Sequence, residues 1–351
     1  MEKKEFSSLL ITLMSAKLLL SYPLRLVKNS GPAAWIQVIF VTLLALFIFR
    51  MTVSFYERKI NIIDLIKSRL GKTAGVAAGL IVFGILFLNM MSITRIFPES
   101  VQIVLLQNTE SDVTAAVFAL TILIGAYLGI EALARINYIF LPICGILLIV
   151  FVALLFPYYD ISNLMPILGT GAFDVFVKGI NGLSIFSDII VLNILLAYSK
   201  NINEARDCGT RAIIISGAVA LITTLIYSLI YPYPTSEKFI LPMYQVTRMI
   251  HLTSFFNRFE AVFQFIWSIL AFLYGAVYIY LLCFVWQTTF GLKYLKPLIF
   301  PMVLLIMNCA MIPESIMEAD MFEGIFNAIT YPAAFLMPII AAVIEKKTRQ
   351  P

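Results

Sequence analysis

About ten stretches of mostly apolar residues recur along the chain, and their length limits what it can fold into. A helix of about 20 residues spans the ~30 Å hydrocarbon core of a bilayer. Hydrophobic residues make up 61% of the 351 and charged residues 13%, about half the charge of a soluble domain. We therefore predict an all-α integral membrane protein, a single polytopic domain over 1–351. The predicted transmembrane segments are 7–27, 33–55, 73–96, 113–130, 137–157, 177–198, 212–231, 260–286, 296–313 and 322–344.

The first segment carries polar residues in its middle, namely Ser15, Lys17 and Ser21. Lys17 lies roughly ten residues from either end of the segment, or about 15 Å along a helix. At that depth the side chain reaches the lipid headgroups poorly, and an unpaired charge is costly. Lys17 therefore needs an anionic partner, a water-lined cavity or the loss of its charge.

The sixth segment is interrupted in a similar way. Inverted-repeat transporters have such interrupted helices at the start of each half, where the exposed helix ends line a site at the bilayer midplane. We therefore predict a five-plus-five inverted repeat, about 7–157 and 177–344, with Lys17 and Asp188 near the same cavity. The polar or flexible residues of the sixth segment are Asn181, Gly182, Ser184 and Asp188.

Two interpretations of these buried charges stay open. Lys17 and Asp188 could form a purely structural ion pair, because an ionised group at this depth needs a partner. Alternatively, Lys17 and a helix N-terminus could receive the carboxylate of a zwitterion such as an amino acid. Freed backbone carbonyl groups and Asp188 would then receive its ammonium group. The serines of both segments could equally form hydrogen bonds to neighbouring helices.

A second group of polar and aromatic residues lies toward the ends of the segments. Arg95 of the third segment and Glu260 of the eighth both lie toward the outer end, and Trp267 follows within the eighth. We predict that they form a gate or boundary of the site, or else anchor their helices at the interface. Asn89 and Ser92 are further polar groups inside the third segment.

The lysines and arginines predict that both termini are cytoplasmic. With the N-terminus inside, 17 of the 25 basic residues fall on the cytoplasmic side, as the positive-inside rule requires. The outer loops are acidic, with Asp320 and Glu323 among their residues. Apolar residues at helical spacing predict an amphipathic cytoplasmic helix over 57–72 and one or two helical turns in the outer loop 236–258.

The sequence contains no motif that would carry enzymatic chemistry. It has no P-loop, no cluster of metal-ligand residues and only one histidine, His251, without a nucleophile at a known spacing. We therefore expect no catalysis, no cofactor and no metal site. Nucleic-acid binding is excluded as well, because the basic residues follow the positive-inside pattern and form no separate patch.

Four motifs in order resemble the B subunits of bacterial spore germinant receptors, which belong to the amino acid–polyamine–organocation transporter superfamily. SGPAAWI at 30–36 is similar to the family's AG-x-x-AW-I, and GIEALARINYIFLPI at 129–143 to its G-x-E-x-x-AR-x-x-x-x-F-P. DISNLMPIL at 160–168 is similar to D-x-SNL-P-L. LPMYQVTRMIHLTSFFNRFEAVF at 241–263 is similar to YP-x-x-x-x-AR-x-I-x-x-x-x-F-x-ER-x-EA.

This resemblance implies a leucine-transporter-type core with broken helices 1 and 6. It also implies residence in the spore inner membrane, assembly with A and C subunits, and recognition of a small germinant, usually an amino acid. The superfamily's ligand pocket falls on Ser15, Ala16, Lys17, Asn181, Ser184 and Phe186. Two departures stand out: Ser15-Ala16-Lys17 replaces a glycine-rich break, and Ser184-Ile-Phe-Ser-Asp188 replaces SFPFGE.

We therefore expect a germinant-sensing membrane subunit whose ligand binds between helices 1, 3, 6 and 8. The first alternative is a proton-coupled amino acid transporter in which Lys17 or Asp188 titrates. The second alternative is a mainly structural membrane subunit with a vestigial pocket. The expected partners are the germinant, membrane lipid and the A and C subunits.

Overall fold

The computed structural model describes residues 1–19, 21–53, 60–250 and 258–347, and within these ranges it is helical without any strand. The prediction of an all-α integral membrane protein is confirmed. The α-helices are α1 Lys3–Ser15, α2 Tyr22–Ser30, α3 Ala34–Val53, α4 Ile62–Leu70, α5 Lys72–Val104, α6 Ser111–Leu128, α7 Ile130–Leu155, α8 Ala172–Phe176, α9 Ile189–Leu195, α10 Ile202–Ile230, α11 Pro242–Thr247, α12 Phe259–Phe290, α13 Lys296–Ala310 and α14 Ile316–Lys347.

Among the described residues, eight helical stretches are long and apolar enough to cross a membrane. Six of them overlap one predicted segment each, Tyr22–Val53 overlaps the end of the first and the second, and Ile130–Tyr158 overlaps the fifth and the last residue of the fourth. The two segments that fall short are the first, which is divided between α1 and α2, and the ninth, where α13 has 15 residues. The spanning stretches are Tyr22–Val53, Lys72–Val104, Ser111–Leu128, Ile130–Tyr158, Ala172–Leu195, Ile202–Ile230, Phe259–Phe290 and Met317–Lys346.

The first segment is interrupted where its polar residues lie. Helix α1 ends at Ser15, and a 3₁₀ stretch runs through Ala16–Leu19. Helix α2 then starts at Tyr22 with Pro23 in its first turn, where the missing N–H of proline is tolerated and its fixed φ suits the helix. The interruption therefore separates an N-terminal half, α1, from a C-terminal half, α2, with Lys17 between them.

The sixth segment is interrupted over a longer stretch. Residues Lys178–Phe186 form a 3₁₀ helix, and the regular helix α9 resumes only at Ile189. Gln37 of α3 stabilises this stretch, because its Nε2 donates a hydrogen bond to the Gly179 carbonyl oxygen at 3.0 Å. A Cβ on Gly182 would lie 2.8 Å from the same Nε2, so a side chain at 182 would displace the amide that supports the break.

Helix α12 is the centre of the fold. It packs against α5, α6, α7 and α13, and its aromatic residues Trp267, Tyr274 and Tyr278 are fully buried. The N-terminal half of the first segment, α1, packs against α10 and α7. Both interrupted segments thus lie inside the bundle, while the five-plus-five inverted repeat stays a prediction.

Two connections carry short helices. Helix α4, Ile62–Leu70, lies within the predicted amphipathic stretch 57–72, buries Ile62, Ile63, Leu65 and Ile66, and is capped by Asn61, whose Oδ1 accepts from the Asp64 amide. In the connection between α10 and α12 a 3₁₀ turn at Thr235–Lys238 precedes α11. The predictions for 57–59 and 251–257 fall outside the described residues.

Candidate functional site

A buried ion pair joins the two interrupted segments. Lys17 Nζ lies 2.8 Å from Asp188 Oδ2, and the side chain of Asp188 has no exposed surface. Lys17 Nζ also donates hydrogen bonds to Ser187 Oγ at 2.7 Å and to the Ser184 carbonyl oxygen at 3.5 Å. The structure thus brings together the two charges whose depth required partners.

Helix α12 supports the carboxylate of this pair from the other side. The hydroxyl groups of Tyr278 and Tyr274 donate to Asp188 Oδ1, the latter at 3.4 Å. The two rings lie four residues apart on one helix face and stack, with centroids 4.2 Å apart and planes 18° apart. Asp188 is therefore held by a cation and by neutral hydroxyl donors, as a carboxylate buried in a membrane protein requires.

This arrangement changes the interpretation of Lys17. The Ser184 carbonyl oxygen and the Asp188 carboxylate, which the zwitterion hypothesis assigned to the ammonium group of a ligand, already contact an ammonium group in this structure. That ammonium group is the one of Lys17 itself. Because its charge is already neutralised by Asp188, Lys17 is poorly suited to be the main partner of a ligand carboxylate in this conformation.

A cavity of about 430 Å³, its open mouth included, lies beside the ion pair. We call it the inner cavity. The enclosed room in it is about 30 Å³, on the order of two water molecules in this conformation. Residues of the broken first segment, α5, α12 and α14 form its wall: Lys17, Ser21, Tyr22, Asn89, Ser92, Ile93, Ile96, Trp267, Tyr274, Glu323 and Asn327.

A second opening, which we call the outer pocket, lies next to it and has room of about 290 Å³. Asn327 lines both the inner cavity and the outer pocket, so the two are neighbours. The residues of the outer pocket are Arg25, Lys28, Asn29, Asn181, Ser184, Asp320, Gly324, Asn327, Ala328 and Tyr331.

Tyr22 and the ion pair between Arg25 and Glu323 lie between the inner cavity and the outer pocket. The Tyr22 ring has Lys17 Nζ 5.7 Å from its centroid and the Arg25 guanidinium 5.5 Å from it, distances at which a cation is attracted to an aromatic face. The Tyr22 hydroxyl donates to the Ser184 carbonyl oxygen at 3.2 Å. Arg25 pairs with Glu323 at 2.7 Å and with Asp320 at 3.5 Å.

The residues predicted to form one ligand pocket lie in different places. Lys17 lines the inner cavity, whereas Asn181 and Ser184 line the outer pocket. The others are packed in the interior: Ser15 Oγ lies 3.0 Å from Ser216 Oγ, the Ala16 carbonyl accepts from Trp267 Nε1 at 3.1 Å, and Phe186 is fully buried. Asp188 lies behind Lys17.

The three residues predicted to form a gate or boundary also lie in different places. Arg95 pairs with Glu99, one turn away on α5, at 2.6 Å, and Glu260 pairs with Arg258 at 3.5 Å. Both therefore have local partners. Trp267 instead forms part of the wall of the inner cavity and stacks on Phe97, with ring centroids 5.7 Å apart.

Sequence reasoning missed several residues of the site. Glu323 was expected in an acidic outer loop, but it lies within α14 and is 8% exposed. Its position at the start of a predicted apolar segment could have indicated that it is buried. Tyr274 and Tyr278 carried a weaker signal, their four-residue spacing, which many packed aromatic pairs share. The remaining missed residues are Tyr22, Arg25 and Asn327.

Comparison with known proteins shows to which family the chain belongs. A family model described as "Spore germination protein" matches residues 1–319. The chain belongs to the spore germination protein family. It is also similar to Spore germination protein A2 of Bacillus subtilis (strain 168), with 24% identity over 331 residues, covering 92% of this chain and 89% of that protein.

Membership of the spore germination protein family confirms the resemblance drawn from the four motifs. The chain is a germination-related integral membrane protein of spores, and its family is not a known enzyme class. In the part of the chain that the structure describes, no cluster of three or more histidine, cysteine, aspartate or glutamate residues could hold a metal ion.

Proposed function

We propose that this chain is the germinant-sensing membrane subunit of a spore germination receptor. In this proposal it binds a small ligand, expected to be an amino acid, near the bilayer midplane of the spore inner membrane. It then signals to A and C partner subunits. The observation that carries the proposal is the polar inner cavity beside two interrupted segments that are joined by Lys17 and Asp188.

The wall of the cavity gives such a ligand a way to act. A ligand shifts a protein between conformations only if its affinity for them differs. The inner cavity is formed by the broken first segment together with α5, α12 and α14. A molecule bound there would touch elements from both ends of the chain, so its affinity would change when these elements move relative to one another.

A second candidate function has its own support in the ion pair. Lys17 lines the cavity and its partner Asp188 is fully buried. Ionisable groups inside membrane segments often belong to proton pathways of transporters. A proton-coupled amino acid transporter is therefore the alternative, with this pair as the group that gains or loses a proton.

Binding and uptake distinguish these functions. We would reconstitute the full-length chain and measure binding of labelled amino acids, and measure their uptake into proteoliposomes with and without a pH gradient. In parallel, spores that lack the chain would be tested for germination with the same amino acids. The sensing function predicts saturable binding, no concentrative uptake, and loss of germination in the deletion spores.

Other outcomes would overturn this proposal. Uptake that follows the imposed pH gradient would establish the transporter. Absence of both binding and uptake, together with loss of the partner subunits from membranes of the deletion strain, would establish a structural subunit instead.

A further inference from the structure

The outer pocket lies at the edge of the helix bundle. Its lining residues on α14 follow one another at helical spacing and form one stripe along the helix: Asp320, Gly324, Asn327 and Tyr331. Buried residues, Glu323 and Thr330 among them, flank one side of this stripe. Apolar residues that are at least half exposed flank the other side: Met321, Ile325 and Ile329. The pocket therefore lies between the interior of the protein and a face of α14 that contacts lipid.

The opposite wall of the pocket, the interrupted sixth segment, has the same pattern. In a 3₁₀ helix residues three apart lie on the same face, and Asn181 and Ser184 both line the pocket. Val177 and Ile180, also three residues apart, are 51% and 38% exposed. Both walls belong to stretches long and apolar enough to span a membrane, where exposed apolar side chains lie against lipid tails. Apolar faces thus border the pocket on both walls, so its mouth opens toward lipid.

The charged residues of the pocket lie near helix ends, and their charges cancel. Lys28 lies two residues before the end of α2 and Asp320 four residues after the start of α14, a helix of 32 residues. Such a helix is about 48 Å long against a hydrocarbon core of ~30 Å, so its first turns reach the lipid headgroups. Asp320 lies 3.5 Å from both Lys28 and Arg25, and Arg25 lies 2.7 Å from Glu323. Lys28 and Asp320 are 46% and 32% exposed, and such exposed pairs are weak.

We propose that the outer pocket binds a net-neutral phospholipid with a primary amine in its headgroup, namely phosphatidylethanolamine. The lipid phosphate lies against Lys28 and Arg25, since both cations have more N–H donors than their carboxylate partners use. The lipid ammonium group lies against Asp320. An acyl chain runs past Gly324 and Ala328, whose small size leaves a groove in the wall of the pocket, and continues along the exposed apolar face of α14.

The room and the charges of the pocket favour this occupant. The outer pocket has room of about 290 Å³, against about 30 Å³ in the inner cavity. Asn181 accepts with its Oδ1 from the Tyr331 hydroxyl at 3.0 Å, which leaves its Nδ2 to donate to an ester carbonyl oxygen of the lipid. A zwitterionic headgroup gives each sign of charge a partner, whereas an anionic one would add a charge to a pocket whose cations are already neutralised.

A lipid at this place would contact both interrupted segments. The outer pocket is lined by α2, the sixth segment and α14. Ser184 belongs to its wall, and the Ser184 carbonyl oxygen accepts from the Tyr22 hydroxyl at 3.2 Å and from Lys17 Nζ at 3.5 Å. The bound lipid therefore stabilises the conformation in which the two interrupted segments are joined. This inference goes beyond the proposed function, because it holds for a sensor and for a transporter alike.

Native mass spectrometry of the purified full-length chain tests this inference. Phosphatidylethanolamine, phosphatidylcholine and phosphatidylglycerol with the same acyl chains would be titrated separately, and the dissociation constant of the tightest site measured. Gly324→Leu fills the groove, and a Cβ at 324 has nothing within 4 Å, so the change takes up pocket space without disturbing the packing. The matched control is Gly145→Leu on α7, because Gly145 is exposed too and its added Cβ also has nothing within 4 Å. Size-exclusion profiles and thermal unfolding would show that each variant is folded.

We expect Gly324→Leu to bind phosphatidylethanolamine at least about tenfold more weakly, because its side chain occupies the path of the acyl chain, and Gly145→Leu to bind it like the wild type. Phosphatidylcholine has no N–H donor and phosphatidylglycerol has no cation. Each should bind the wild type about tenfold more weakly than phosphatidylethanolamine, the effect of losing one hydrogen bond to a charged group. Asp320→Asn removes the partner of the ammonium group, so it should abolish the preference for phosphatidylethanolamine over phosphatidylcholine.

Three results would overturn the inference. If Gly324→Leu binds phosphatidylethanolamine like the wild type, the lipid lies elsewhere on the protein. If phosphatidylcholine or phosphatidylglycerol binds the wild type as tightly as phosphatidylethanolamine, the headgroup class is wrong, and this comparison needs no variant. If phosphatidylethanolamine binds the chain alone but not the chain purified with its A and C subunits, a partner subunit occupies the groove. None of these results bears on amino acid binding or uptake, so the inference and the proposed function fail independently.

Discussion

At the scale of single residues, the centre of this protein is one cation with three oxygen partners. Lys17 contacts Asp188, Ser187 and the Ser184 carbonyl group, all from the sixth segment. Removing one member of a buried ion pair leaves the other charge uncompensated, whereas removing both together is often harmless. The pair therefore links the two interrupted segments, and it stabilises the protein only when both members are present.

Replacement of Lys17 or Asp188 alone should destabilise the protein by about 3–5 kcal/mol, the usual cost of an orphaned buried charge. We expect Lys17→Met and Asp188→Asn each to lower the thermal unfolding temperature in detergent. The double variant Lys17→Met/Asp188→Asn should recover much of that loss, because no charge is left unpaired. If the double variant is as unstable as the sum of the two single variants, the two side chains do not act as a pair.

The sequence predicted the depth of these two charges but not the whole of their surroundings. The depth of a residue in the membrane follows from its position within an apolar segment, which can be read from the neighbouring residues alone. Which hydroxyl groups reach Asp188 depends on how α12 packs against the sixth segment, and which carboxylate neutralises Arg25 depends on how α14 packs against the first. Tyr278 is 90 residues from Asp188, and Glu323 is far along the chain from Arg25. Periodicity and hydropathy carry no information about such pairings.

At the scale of helices, close approach to α12 depends on small residues. The sequence contains glycines spaced four apart at Gly75 and Gly79, a spacing that lets membrane helices approach closely. The structure places them against different elements: a Cβ on Gly75 would lie 2.6 Å from Lys67 Cβ of α4, and one on Gly79 would lie 2.0 Å from Thr289 Oγ1 of α12. The spacing therefore marks two separate contacts of α5.

A methyl group at position 79 should separate α5 from α12. We expect Gly79→Ala to destabilise the protein by about 1–3 kcal/mol, the range for overpacking in a tightly packed interior. Gly84 of the same helix has nothing within 4 Å of its added Cβ, so Gly84→Ala should be neutral or slightly stabilising. Thermal unfolding of both variants in the same detergent would test this, and equal stability of the two would contradict the contact.

The C-terminal half of the first segment, α2, is held to α14 by ion pairs. Arg25 pairs with Glu323 and Asp320, and Lys28 pairs with Asp320 at 3.5 Å. Arg25 lines the outer pocket and Glu323 the inner cavity, so this ion pair crosses the boundary between them. It would have to break, together with the pairs made by Asp320, for α2 and α14 to separate.

Loss of Arg25 should open the inner cavity to the outer pocket. In a background without native cysteines, we would compare Ser92→Cys, a cavity-wall position, with and without Arg25→Met. The rate of modification by a small methanethiosulfonate reagent should rise when Arg25 is absent, since Glu323 then loses its cation. An unchanged rate, with both proteins shown to be folded, would mean that other residues close the boundary.

At the scale of the whole molecule, hydropathy predicted the membrane segments well except for the first, whose helix is divided at Lys17, and the ninth, whose helix is short. Segments with uninterrupted helices have windows of high mean hydropathy, up to 3.1 in Ile130–Tyr158. The first segment was identified by its residues, but its helix is divided at Lys17. The ninth contains Pro297 in its first turn and Pro301 inside. A count of about ten crossings therefore depends on how these two segments lie in the membrane.

The positive-inside pattern makes this count testable through the orientation of the loops. With both termini cytoplasmic, Asn108, in the connection between α5 and α6, lies outside, and Lys293, between α12 and α13, lies inside; both are exposed. In a cysteine-free background, a membrane-impermeant maleimide should label Asn108→Cys in intact cells and Lys293→Cys only after permeabilisation. If both results were reversed, the protein would have the opposite orientation in the membrane. Labelling of both positions in intact cells would mean that the chain crosses the membrane an even number of times between 108 and 293. The ten-segment topology places five crossings there, so this result would contradict it.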